Sequence, residues 1–291
     1  MRLLSVLFAL GLAGQQIGDP NWKPKIDKPA YPAGKGPVVL LDEAHNNFHK
    51  LDGRYKPFGE LLTLDGYRMQ ANRAPFTRES LAKAGVLVIA NALHASNVEK
   101  WQLPTPPAFT QEENVAVEEW VKAGGGLLLI ADHMPFPGAV ADLARRFEIT
   151  FSNGFAVPRN EGGGTITFRR SDNSLREHAV TKGINEVMTF TGSAFYARTA
   201  EPLLVFPGTI QSLEPDTAWK FDDRTDKRFV AGWLQGAVLQ HGKGRVAVFG
   251  EAAMFSAQLA GENKTPMGMN APGAAENYRF LLNVMAWLTG R

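Results

Sequence analysis

Three apolar runs in this 291-residue chain end abruptly in ionisable residues. Val38 to Leu41 runs into Asp42-Glu43-Ala44-His45-Asn46-Asn47-Phe48-His49, Leu127 to Ala131 into Asp132-His133, and Arg245 to Phe249 into Gly250-Glu251. A carboxylate at the end of a buried strand is costly unless water, a partner or an ion compensates it. The first segment is the densest. His45 and His49 stand four apart and share a face if the segment turns helical. Together with Asp42 and Glu43 they are the residue types that hold Zn, Mn or Fe, and the oxygen-rich neighbourhood would also suit Ca. The same residues fit a metal-free binding or catalytic site, or a loop tied down by an N-cap Asp and hydrogen-bonding Asn and His.

Asp132-His133 has the composition of a general base or ligand pair, and equally of a capped turn. Glu251, behind Gly250, is either a site carboxylate or a helix-start Glu favoured by the dipole. Asn46 is assigned to stabilising developing negative charge, and Asn47 and Asn270 to holding substrate. Loop tryptophans such as Trp101 and Trp219 offer stacking surfaces. His178 reads as structural, and His94 and His241 as loop residues in water.

Several chemistries are excluded or disfavoured. The chain has no cysteine, so a thiol nucleophile, thiolate metal ligands and disulfides are all ruled out. Thr191-Gly192-Ser193 offers a hydroxyl, but no G-x-S-x-G elbow is present. Gly124-Gly125-Gly126 precedes a strand, the wrong order for a phosphate-cradling loop. With 31 basic and 29 acidic residues the net charge is only +2, and no Lys/Arg run suggests nucleic acid.

The elements that must position these residues follow from apolar patterning. Short apolar runs at 37–41, 67–71, 86–90, 127–131, 230–239 and 245–249 read as strands, the last two as a hairpin around His241 to Gly244. Helices are expected at 57–64, at 78–84 behind Thr77, behind the Thr110/Glu113 capping box, at 138–146 and at 274–288. Alternating strands and helices through the first 150 residues predict a doubly wound, mostly parallel α/β sheet of the flavodoxin-like or glutamine-amidotransferase-like kind. Ligands bind such sheets at the carboxyl edge. The stretch from 148 to about 240 reads as a β-rich elaboration of one domain spanning 37–291.

Arg2 followed by the apolar run Leu3 to Ala13 and Gly14 reads as a signal peptide over 1–16, with 17–36 as a Pro- and Lys-rich linker. The run is too short to cross a bilayer. An exported protein, periplasmic or secreted and without an integral span once the signal is removed, is the expectation.

Glu119-Trp120-Val121 through Gly124-Gly125-Gly126-Leu127-Leu128-Leu129-Ile130-Ala131-Asp132-His133 resembles the matching stretch of the glutamine-amidotransferase-like superfamily, in particular its trehalose-utilisation-like branch. His178 to Ile184 and Gly242 to Phe249 resemble two further segments of that branch. Members with glutaminase activity use a Cys nucleophile, which this chain lacks, so the resemblance implies the fold without that reaction.

The functional expectation is a hydrolase of a small ester, lactone, amide or sugar derivative that uses an activated water. In it His133 is the base, and Asp42, Glu43, His45 and His49, with Asp132 or Glu251, orient the water or hold a divalent ion (Zn, Mn or Ca). The alternative is a periplasmic carbohydrate-binding module without turnover. Either reading takes a small molecule and no nucleic acid, leaves the oligomeric state open, and gathers Asp42, His45, Asp132, His133 and Glu251 in one cleft. Loss of His45 or Glu251 should then cost function and leave stability unchanged or raised.

Overall fold

A computed structural model describes residues 16–159 and 164–291. The expected signal peptide falls almost wholly outside the described residues, as do Gly162 and Gly163. At the centre is a nine-stranded sheet. Five of its strands are parallel neighbours in the order Arg68–Asn72, Val38–Asp42, Val86–Ala90, Gly126–Ile130, Gly244–Phe249. The four inner ones are largely apolar on both sides because both sheet faces are covered, whereas the edge strand Arg68–Asn72 is mostly polar and partly exposed. Val39, Leu41, Val88, Leu128, Ile130 and Phe249 point to one face, where they meet Phe58, Leu61, Phe280 and Val284. Val38, Leu40, Leu87, Leu129 and Val248 point to the other, against Leu81, Val117, Val121 and Leu143.

The helices obey local rules. Lys56–Leu64 carries Pro57 in its first turn and buries Phe58, Leu61 and Leu62 at helical spacing. Gln111–Lys122 opens with the predicted capping box, Thr110 and Glu113 each bonding the other's backbone N–H. Asn277–Leu288 buries Phe280, Leu281, Val284, Met285 and Leu288. The helix expected over 138–146 is instead two short ones, Phe136–Ala139 and Ala141–Arg145.

Beyond Gly244–Phe249 the sheet turns antiparallel. Leu234–His241 forms the expected hairpin with it, and Glu201–Val205, Phe195–Ala197 and Ile149–Phe151 extend the sheet. The rest of the β-rich stretch builds a three-stranded sheet (Asp226–Phe229, Ile210–Glu214, Phe155–Pro158) and the pair Ile166–Arg169 with Glu186–Thr189. Residues 17–36, expected as a linker, lie against the domain. Ile17–Gly18 pairs with Ala257–Ala260, Trp22, Ile26 and Tyr31 pack on the core, and Asp65 holds the backbone of Ala30. Isolated anchors spaced several residues apart leave no periodic pattern for a sequence reading to find. Among the described residues no helix is long and apolar enough to cross a membrane.

Candidate functional site at the strand ends

Register places two carboxylates side by side. Ile130 pairs with Phe249 in parallel strands, so Asp132 and Glu251 both sit two residues past the same level. Both then bind the turn that follows. Glu251 accepts the backbone N–H groups of Ala253 at 2.6 Å and Met254 at 2.8 Å, and Asp132 accepts those of Ala252 and of His133, the latter at 2.8 Å. Asn91, at φ 54° just past Val86–Ala90, presents its Oδ1 to the Asp132 N–H at 2.9 Å. Asn tolerates that left-handed conformation better than most residues. Burial, reinforced by the Asp132 charge, pushes the Glu251 carboxyl up to about 8. Burial also raises Asp132, against the pull of His133 and the backbone donors. Near neutral pH the pair therefore carries one proton, held mainly by Glu251.

His133 stands beside this pair. Its Nδ1 lies 2.8 Å from the Met134 carbonyl, which accepts an Nδ1–H and leaves Nε2 as the basic nitrogen. The ring stacks on Phe155 (centroids 4.5 Å apart), meets Trp219 edge-on at 4.6 Å, and lies 5.8 Å from Trp101. His49 stacks on Tyr55 at 4.4 Å. Burial and the charges of Arg54 and His133 hold His49 well below the usual imidazole range, so it is neutral. The Tyr55 hydroxyl donates to the Ala252 carbonyl, and burial with the charges of Glu251 and Asp132 keeps it protonated. Asn47 Nδ2 and His49 Nδ1 are buried without a hydrogen-bond partner among the described residues.

Asp42 and His45 belong elsewhere. Leu41 aligns with Val88, Leu128 and Ala247, which puts Asp42 level with Leu129 and Val248, three residues short of Asp132 and Glu251. Asp132 and Glu251 bear on Tyr55, in the core on one sheet face, whereas Asp42 and His45 meet Glu113, Phe76 and Phe109 on the other. Asp42 also lies three strand spacings, about 14 Å, from the Glu251 strand. There, His45 Nδ1 meets Asp42 Oδ2 at 2.9 Å and its Nε2 meets Glu113 Oε1 at 2.8 Å, with Phe76 and Phe109 packed on the ring. Burial lowers the affinity of His45 for a proton, but the two carboxylates outweigh it and raise its pKa. Glu113 is held low, the opposing burial outweighed by the N–H groups of Thr110 and Phe76 and by His45. The single cleft expected from the sequence is thus two groups on opposite faces.

The remaining candidates divide similarly. Glu43 accepts the Leu51 N–H and pairs with Arg73. Asn46 donates to the Leu93 carbonyl. Asn270 spends its amide on Asp19 and both backbone groups of Gln258, where Ile17–Gly18 pairs with Ala257–Ala260. With both His45 nitrogens engaged and His49 stacked on Tyr55, the proposed ligands Asp42, Glu43, His45 and His49 do not converge. Among the described residues no three His, Asp or Glu side chains form a metal-ligating set. Ser193 donates to the Ala131 carbonyl at 2.7 Å, which leaves it no base. Sequence reasoning missed Glu113, Tyr55 and Asn91. Glu113 was fully explained by its capping box, Tyr55 lies in no periodic element, and Asn91 signalled itself only as an Asn directly after a buried strand.

No family model matches the chain, and no curated protein matches it. Solved structures share its fold. The mmIFT52 N-terminal domain aligns over 87% of this chain and 98% of its own, with a TM-score of 0.62 and 14% identity. A ThuA-like protein from Bacteroides uniformis ATCC 8492 aligns over 93% and 95%, with a TM-score of 0.50 and 13% identity. The trehalose-utilisation-like branch expected from the sequence is therefore among the chain's structural neighbours, at the level of fold.

Proposed function

We propose that this chain is an exported hydrolase of a small ester, lactone, amide or sugar derivative, with a water activated at His133. The observation that carries the reading is the basic Nε2 of His133 beside the one-proton Asp132–Glu251 pair, at the carboxyl ends of adjacent parallel strands. In this reading His133 takes the proton of the attacking water and returns it to the departing oxygen or nitrogen as its bond to the substrate carbon breaks, Glu251 is the proton reservoir, and the unpartnered Asn47 amide donates to the oxygen that gains charge. Asn46 drops out because its side chain is exposed and its amide is turned to the Leu93 carbonyl. In this reading every role falls to side chains, and metal analysis of the purified protein checks for an ion. The parallel order 2-1-3-4-5 supports placing the domain with the doubly wound, flavodoxin-like folds, which bind ligands at this edge.

A second reading, a carbohydrate-binding module without turnover, draws on Trp101 and Trp219 meeting at His133. A panel of p-nitrophenyl esters and chromogenic glycosides separates the two. Turnover lost in His133→Ala with the fold intact supports the hydrolase. Absence of turnover in the wild type, with calorimetric binding of an oligosaccharide that Trp219→Ala abolishes, replaces it with the binding module.

A further inference from the structure

The strand-end site is covered. Asp132 and His133 are each 9% exposed and Glu251 is fully buried. A groove of about 490 Å³ lies elsewhere, on the outer side of the Lys56–Leu64 helix, among Lys23, Leu51, Lys56, Glu60 and Met69. Two segments far apart in the sequence stand over His133. One is the loop 98–106, carrying Trp101, and the other is 215–221, carrying Trp219 from the β-rich stretch.

These segments are joined to each other. Ala218 donates to the Trp101 carbonyl and Leu103 to the Asp216 carbonyl, both at 2.8 Å, with Gln102 and Thr217 facing across that short ladder. The first segment is braced internally, because the buried Asn97 amide nitrogen reaches the carbonyls of Lys100, Gln102 and Pro104. It is therefore held in one shape. In the second, Trp219 holds φ 65°, a left-handed conformation that a bulky residue rarely adopts. His49, near enough to His133 to feel its charge, keeps an unpartnered Nδ1, and Asn47 two residues before it keeps an unpartnered Nδ2, polar atoms that a bound molecule would satisfy.

We propose that the loops 98–106 and 215–221 form a two-part lid that opens by parting the short ladder between them, admitting a ligand to His133, and closes to lay Trp101 and Trp219 against it. The proposal rests on the strand-end site being the functional one. It assigns the ligand class by the walls: a molecule with an apolar face for the two indoles and an acceptor oxygen for the Asn47 amide, which describes a sugar ring or a cyclic ester.

The test locks the lid. Because the chain has no cysteine, Gln102→Cys with Thr217→Cys introduces one possible disulfide. A facing pair flanked by two hydrogen bonds has its Cα atoms about 4.5 Å apart, within disulfide range. Diethyl pyrocarbonate labelling of His133, read by peptide mass spectrometry, reports access, with the remote His178 as control. The expected result is at least tenfold slower His133 labelling in the oxidised form, a wild-type rate after reduction, and unchanged His178. Equal rates in both forms overturn the lid. As a second variant, Trp219→Ala should speed His133 labelling severalfold, and no acceleration again overturns it. Labelling that oxidation blocks, without turnover of any ester in either form, leaves the lid standing and removes the hydrolase. Ester turnover that persists in the oxidised form removes the lid and keeps the hydrolase.

Discussion

Asp132 and Glu251 leave neighbouring parallel strands at one level and grip one turn, Asp132 through the Ala252 N–H and Glu251 through those of Ala253 and Met254. Backbone donors satisfy each carboxylate, yet the two charges are buried together. The repulsion is relieved by keeping a proton on the pair.

That proton makes stability depend on pH. A carboxyl raised from 4.5 to about 8 on folding binds its proton in the native state while the unfolded chain has released it. Stability is therefore greatest below about pH 4.5 for this group and falls as pH rises to about 8. The loss should be on the order of 2 to 4 kcal/mol, less than the full shift because the site shares its proton with Asp132. Urea unfolding from pH 5 to 9 should show the slope in the wild type and a flatter one in Glu251→Gln. Equal slopes would mean that Glu251 is ionised throughout.

Glu113→Gln should destabilise the fold by about 3 kcal/mol, as does removing one partner of a buried ion pair. It weakens the bond to His45 and leaves Asp42 as the one carboxylate beside it. This reverses the expectation that losing His45 is neutral or stabilising, since His45→Ala would leave two buried carboxylates uncompensated. Denaturation midpoints of both variants test it, and midpoints within 0.5 kcal/mol of wild type would argue against the clamp.

The two histidines of the first segment should titrate in opposite senses. His45, with its pKa raised, stays doubly protonated to higher pH than a free imidazole, and its stabilisation is lost as pH climbs through that raised value. His49 stays neutral down to acidic pH. Nitrogen-15 chemical shifts of the two rings between pH 5 and 9 give the order directly, and His49 charging first would be the contrary result.

Gly250→Ala should cost about 3 kcal/mol or prevent folding. A Cβ there would lie 2.2 Å from the Ser193 carbonyl oxygen, backbone that is itself tied to Gly250 through the Ser193 N–H. Thermal unfolding of the variant measures this.

Much of this was legible in the sequence. Apolar runs of strand length marked the parallel core, and Thr110 with Glu113 marked the start of a helix within one turn, because these signals are local. The chemistry at strand ends was legible for the same reason, since Asp132-His133 and Gly250-Glu251 each interrupt an apolar run. Which of these residues meet was decided by the tertiary structure. Strand order and register appear nowhere in a single strand, yet they stop Asp42 three residues short of the level of Asp132 and Glu251, and packing sets Asp42 and His45 against Glu113 on the opposite face. Likewise, Trp101 and Trp219 are 118 positions apart (219 minus 101), and only a two-bond ladder between irregular loops brings them over His133. Local propensity fixes elements, but the alignment of one strand against the next depends on the packing of both sheet faces at once.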